Sequence, residues 1–204
     1  LVMASPSIRV TYDRALNDIR ILENYRRDSL SLEPKFQHFV AEVVLLRLFS
    51  IIEISMKETA MKLACQAPYR NGTAPTLFIN CRSLIDAENQ FISYNRTKPA
   101  RLSWTNAKFI KDSIKKVIPP AESYRTNLII HGATYEEMRK VRNHVAHRAR
   151  STYNNYKIVV NTTFGANLNI QPGPFLTSTK RIPIAKIDYY LGAAKIILND
   201  VTNG

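Results

Sequence analysis

The residues best placed to do chemistry lie in one run, Arg139-Lys140-Val141-Arg142-Asn143-His144-Val145-Ala146-His147-Arg148. It holds four basic residues, one Asn and two of the chain's four histidines. Arginine offers a fixed fork for a phosphate oxygen and can stabilise charge developing on phosphorus. Histidine can take a proton from a hydroxyl or return one to a leaving oxygen. RNA carries its own nucleophile, the ribose 2′-hydroxyl. Arginine with a neutral histidine is therefore a sufficient set for metal-independent RNA cleavage to a 2′,3′-cyclic phosphate and a 5′-hydroxyl. No carboxylate cluster or Gly-rich phosphate loop points to metal-dependent or nucleotide-dependent chemistry, and no cofactor is expected.

The spacing sets a geometric condition. Thr134 with Glu137 three residues on reads as a capping box, so the run lies in the first turns of a helix from about Tyr135 to Arg150. On a wheel of roughly 100° per residue, Met138, Val141, Val145 and Ala149 form the packing stripe. Ala146, Arg139, Arg150, Asn143 and His147 follow on a continuous arc, with Arg142 at its border. Arg142 and His147 fall roughly 140° apart, at opposite edges of the arc. Asn143 and His147, four apart, share a line and can touch. One helix does not bring Arg142 and His147 onto one small group, but two copies across a two-fold axis could surround a phosphate. Arg139, Arg142 and Arg150 near His147 favour its neutral form. Arg139, Arg148, Arg150 and His144 are the candidate substrate contacts. The bland alternative is a basic surface helix with its polar face in water.

The elements that must hold this helix read as helices themselves. Ile8, Tyr12, Ala15, Ile19 and Leu22 form a stripe on a helix from about Ser7 to Arg27. A longer one runs from about Pro34 to Ala67. Its apolar positions, Phe39, Val43, Leu46, Ile51, Ile54 and Met61, cover more than one face, which places it centrally. Glu42 and Glu53 are out of place on it, because a buried carboxylate needs a partner. Glu53 either braces a neighbouring helix or orients Arg142 or His147 from behind. Residues 67–101 are irregular, with a short helix near Ser83 to Ser93 and a strand or packed loop at Leu77 to Ile79. Ser103 reads as an N-cap for a helix ended by Pro119-Pro120. Its Lys108, Lys111, Lys115 and Lys116, with Arg101 and Trp104, read either as a solvated face or as part of a nucleic-acid track. Lys157 to Phe164, rich in Val, Ile and Thr, suggests a strand, paired with Leu168 to Ile170 in a small β hairpin near 156–170. Pro183 opens a last helix. The expected fold is all-α: one domain over 1–204, an up-down bundle of four to six helices with a long central helix. Residues 67–101 and 153–181 are its irregular insertions.

Composition narrows the class. The 204 residues suffice for an ordinary core, and 45% are hydrophobic. Lys and Arg number 29 against 16 Asp and Glu, a net charge of +13. Such a balance favours a polyanionic partner, RNA above an acidic membrane. The longest apolar run, Val43 to Leu46, is too short to cross a bilayer. Cys65 and Cys81 suggest neither a disulfide framework nor a zinc site, which fits a reducing, cytoplasmic setting. With no secretory signal recognised, the glycosylation-type patterns at Asn71, Asn95 and Asn161 read as chance matches, and the opening Leu-Val-Met is left out of fold reasoning.

The order of elements and the motif resemble the HEPN superfamily of α-helical domains. Its hallmark is an Arg, four to six residues, then a His on the penultimate long helix, with a polar residue after the Arg. Arg142, Asn143 and His147 match with four residues between Arg and His. The wording from Val141 to Arg148 is similar to nuclease-type HEPN proteins of bacteria, including the RiboL-PSP and MAE-type groups. The long helix with an acidic residue amid apolar ones, Phe49 to Ile54, is similar to that family's second helix. The resemblance is carried by about Phe36 to Ala64 and Thr134 to Arg150. It implies a metal-independent endoribonuclease, a homodimer with a composite site between two motif helices. Such proteins act as toxins beside an antitoxin protein, in phage defence, or in RNA processing. Arg142 and His147 carry over as catalytic and Asn143 as the supporting polar residue. His144 matches no family position and is expected at the surface or against substrate. A non-catalytic RNA-binding or protein-interaction module of the same fold is the alternative, and a DNA-binding regulator ranks last.

Overall fold

The structure, a computed structural model, describes residues 7–93 and 102–204. Arg101 and the pattern at Asn95 lie outside the described residues. Among those described, the protein is all-α with no strand. Nine helices follow in order: α1 (Ile8–Asp28), α2 (Pro34–Ala64), α3 (Leu84–Ser93), α4 (Ala107–Ile114), α5 (Ser123–Ile130), α6 (Gly132–His147), α7 (Arg150–Phe164), α8 (Pro172–Thr177) and α9 (Lys186–Asn203). A 3-10 turn, Ser29–Ser31, joins α1 to α2. The chain divides into two compact units. Of the described residues, one comprises 7–16, 52–93, 102–135 and 196–204; the other comprises 17–51 and 136–195.

In the first unit, Ile52, Met56, Phe91, Ile110, Tyr124 and Leu198 are among the core side chains. Polar groups inside it are tied to one another. The Tyr69 hydroxyl donates to Glu122 Oε1 at 2.6 Å and accepts from the Tyr124 N–H at 3.0 Å. Glu122 Oε2 accepts from the Thr76 N–H at 2.8 Å, and the Tyr124 hydroxyl donates to the Met56 carbonyl at 2.8 Å. His131 bonds Asp200 at 2.8 Å. Trp104 is buried edge-on to Phe91, with Tyr135 donating to its carbonyl. It is a core residue and not a stacking platform for bases.

The second unit holds the Arg142 motif. Leu45, Phe49, Val141, Tyr156, Phe175 and Tyr190 are in its core. Buried Arg26 pairs with Asp188 at 3.2 Å, and Lys195 with Glu23 at 2.5 Å, so α1 and α9 are pinned together here. Glycine is required at one contact: a Cβ on Gly173 would sit 2.6 Å from His38 Cβ, so α8 approaches α2 more closely than any side chain allows.

Several expectations are corrected. Residues 156–170 form no hairpin: Lys157 to Phe164 is the C-terminal half of α7, and 150–164 is helical rather than an irregular insertion. The reason is packing. Tyr156, Val159 and Val160 are buried at helical spacing, and Tyr156 and Phe164 both meet the Phe175 ring edge-on. A buried helical stripe outweighs the modest strand preference of Val, Ile and Thr. Gly165 then ends α7 at φ +63°. The helix α6 begins at Gly132, so Thr134 is not its N-cap, and Glu137 accepts from Tyr190 and Lys186, both at 2.8 Å, instead of closing a capping box. Asn106, not Ser103, caps α4, accepting from the Phe109 N–H at 2.8 Å. Finally, α2 is long but not apolar-buried all round, because Phe39 (64%), Val43 (39%) and Ile54 (53%) are exposed. The count of four to six helices rises to nine because the 123–130, 150–164 and 172–177 segments also coil.

Candidate functional site

The helix α6 stops at His147, although neither Gly nor Pro follows in the next turns of the sequence. The stop is made by Arg148, which adopts φ +48° and whose N–H bonds the His144 carbonyl at 3.0 Å. This is a left-handed cap, normally given to glycine, and a side chain there costs about 1 kcal/mol. The strain is held by side-chain contacts. Arg148 Nη2 lies 2.6 Å from Glu42 Oε2, and Nη1 donates to Gln171 Oε1 at 3.4 Å. Glu42 is thus the out-of-place acid on α2 with a defined partner.

The break reorganises the predicted arc. Arg150 is the first residue of α7, so it does not share a helix with Arg139 and Arg142. Arg142 lies over the Phe49 ring at 5.3 Å and donates from Nη1 to Asn143 Oδ1 at 3.1 Å. The Asn143 amide therefore serves Arg142 and not, as the wheel allowed, His147. Arg139 is braced by Glu136 at 2.6 and 2.7 Å, one turn back on its own helix. His147 ends α6 fully in the exposed class, beside exposed Arg148 and Arg150. Glu53 is half-buried on α2, one turn beyond Phe49 and within the first unit.

His144 does not lie at the surface, one of the places expected for it. It is 7% exposed. Its ring stacks on Tyr156 at 4.9 Å and meets Tyr153 edge-on at 5.6 Å. Its Nδ1 is 3.1 Å from Thr152 Oγ1, whose own proton goes to the Ala149 carbonyl at 2.8 Å. With that proton on the Ala149 carbonyl, Thr152 Oγ1 accepts, which assigns the ring proton to Nδ1 and the lone pair to Nε2. Burial lowers the His144 pKa; the Arg148 charge lowers it further, and Glu42 opposes weakly. Both lowering effects favour the neutral form of the His144 ring.

No family model, no curated protein and no solved structure matches this chain.

His144, Arg148, Arg150, Tyr153 and Gln171 line one cleft of about 370 Å³, with Ile170 and Ala149 completing its wall. Sequence reasoning missed Tyr153, Gln171, Thr152 and the role of Glu42. Of these only Glu42 left a signal, an acid on an otherwise apolar stretch. A second hollow of about 520 Å³ lies between α1 and α2, lined by Leu22, Tyr25, Leu32, Phe39, Val43 and Arg47 among others, and is mainly apolar. Among the described residues, no three His, Cys, Asp or Glu side chains gather into a set able to hold a metal ion, and no helix is long and apolar enough to cross a membrane.

Proposed function

We propose that the chain is a metal-independent endoribonuclease of HEPN type, working as a homodimer in the cytoplasm, with a role as a toxin or defence factor held in check by an antitoxin protein. The observation that carries this reading is the end of α6. His147 is exposed at the last residue of the helix, one turn beyond the hydrogen-bonded Arg142–Asn143 pair, among exposed arginines. In this mechanism Arg142, oriented by Asn143 and Phe49, holds a non-bridging phosphate oxygen and stabilises its charge. His147 takes the proton of the ribose 2′-hydroxyl, whose oxygen attacks phosphorus; the bond to the 5′-oxygen breaks, and that oxygen takes up the proton that His147 returns. The products are a 2′,3′-cyclic phosphate and a 5′-hydroxyl. Two chains supply the composite site, the Arg142 of one facing the His147 of its partner. Arg139 and Arg148 stand by as phosphate contacts. The net charge of +13 supports a polyanionic substrate.

The test is incubation of RNA with the protein in EDTA. Cleavage with cyclic-phosphate ends is expected, falling about 100- to 10,000-fold in His147→Ala and in Arg142→Ala. Undiminished cleavage by His147→Ala would remove its assigned role. Salt-sensitive RNA binding with no cleavage over long incubation would identify a non-catalytic RNA-binding module instead.

A further inference from the structure

The cleft between the end of α6 and the start of α7 is built of groups that, Arg148 apart, the cleavage chemistry above does not use. It lies in one unit, and a volume of about 370 Å³ falls in the range of nucleotide-sized pockets. Its charge is positive, from Arg148 and Arg150. Arg148 is committed in part to Glu42, while Arg150 is exposed. The cleft also receives the N-terminus of α7, a 15-residue helix with no acidic residue in its first turn and no side-chain cap from Ala149. Its first amides are therefore donors for an anion. The independent observation is His144. It is more than nine-tenths buried, its Nδ1 proton is spent on Thr152, and the remaining ring nitrogen, Nε2, is a hydrogen-bond acceptor. An acceptor among cationic donors is not used by a phosphodiester group, which brings acceptors only. It suits an anion that carries a hydroxyl beside it.

We propose that this cleft is a ribonucleotide subsite. Arg150, Arg148 and the first amides of α7 hold a phosphate, and His144 Nε2 accepts a hydrogen bond from the neighbouring ribose 2′-hydroxyl. Tyr153, half-buried at the rim, offers its ring to the base, and Gln171 and Ile170 close the opposite wall. The subsite reads RNA against DNA through a single hydroxyl. It deepens the reading of the chain as an RNA-acting protein and rests on it for the identity of the polymer, but the subsite holds a nucleotide whether or not cleavage occurs.

The experiment is an NMR titration of the full-length, ¹⁵N-labelled chain, following the His144 imidazole nitrogens and the Arg150 and Ser151 amides. The ligands are adenosine 3′-monophosphate, its 2′-deoxy analogue and inorganic phosphate. The ribonucleotide is expected to shift the Nε2 resonance and both amides, and to bind about 5- to 10-fold more tightly than the deoxynucleotide, the worth of one hydrogen bond. Arg150→Ser is expected to weaken both nucleotides about equally and to leave their ratio intact. Equal affinity for the two nucleotides, or shifts confined to residues away from the cleft, would overturn the subsite. RNA cleavage is measured in parallel. Ribose discrimination without cleavage keeps the subsite and removes the enzyme; cleavage without discrimination does the reverse.

Discussion

Tyr69 in the first unit and His144 in the second are both polar aromatic side chains taken out of water, at 3% and 7% exposure. The Tyr69 hydroxyl gives its proton to Glu122 and accepts the Tyr124 amide, and the second Glu122 oxygen takes the Thr76 amide. Each of these donors and acceptors ends on another inside the unit, so the network specifies the fold and nothing else. His144 is satisfied on one ring nitrogen only, and it meets a positively charged cleft next to a strained residue. Strain and incompletely used polar groups are where a fold departs from its own best stability, and that departure marks a site. The same contrast separates the hollow between α1 and α2, which is mainly apolar, from the cleft at α7.

The contrast is tested most strongly on the closed network. Glu122→Gln presents an amide N–H₂ to a donor that needs an acceptor. The expected loss is about 1–3 kcal/mol of folding stability, read by denaturant titration, with RNA binding of the remaining folded protein unchanged. A stable Glu122→Gln protein with altered RNA binding would erase the distinction between the two regions. The next effect is at Arg148. Both Arg148→Ala and Arg148→Gly lose the contact with Glu42, but only glycine relieves φ +48°. Arg148→Gly is therefore expected to be more stable than Arg148→Ala by about 1 kcal/mol, a difference of several degrees in Tm for a small domain. Equal melting of the two would show that the cap carries no strain.

The smallest effect is the pH dependence. The groups facing His144 are Arg148, Glu42, Thr152, Tyr153 and Tyr156. Burial first, then Arg148, lowers its pKa in the folded state. The unfolded chain then binds the proton more readily, so stability is full above an unfolded value of about 6.5 and falls as pH drops below it. Once pH is below the folded value, that contribution is gone. Thermal melting between about pH 7.5 and 5 is expected to show this decline, and His144→Gln to flatten it. Where glutamine disrupts the stack on Tyr156, direct NMR titration of the His144 ring in the unaltered chain reads the same shift. A His144 that titrates at or above the ordinary histidine value would contradict the buried, neutral ring.

Much of the helical architecture was legible in the amino-acid order, because apolar periodicity and proline placement are local. The stripe from Ile8 to Leu22 fixes α1 within a residue at each end, whereas α4 ends at Ile114, short of Val117 and of Pro119-Pro120. The Val-rich segment 157–164 was not legible, since its helical state depends on Phe175, a residue beyond the next loop. The motif was legible as composition. Arg142, Asn143 and His147 stand on one helix, as their spacing requires.

What the sequence by itself determined, then, is an all-helical chain, strongly basic, with a phosphate-suited Arg–Asn–His run on one amphipathic helix. Only the tertiary structure decided which histidine is exposed and which is buried, and where that helix stops. Neither Gly nor Pro marks the break at Arg148. There the Arg148 backbone turns left-handed while its side chain pairs with Glu42, over a hundred residues earlier. The break separates Arg150 from the motif helix, starts α7 and opens the cleft beside His144. Local pattern sets which residues coil; distant contacts set where they stop coiling.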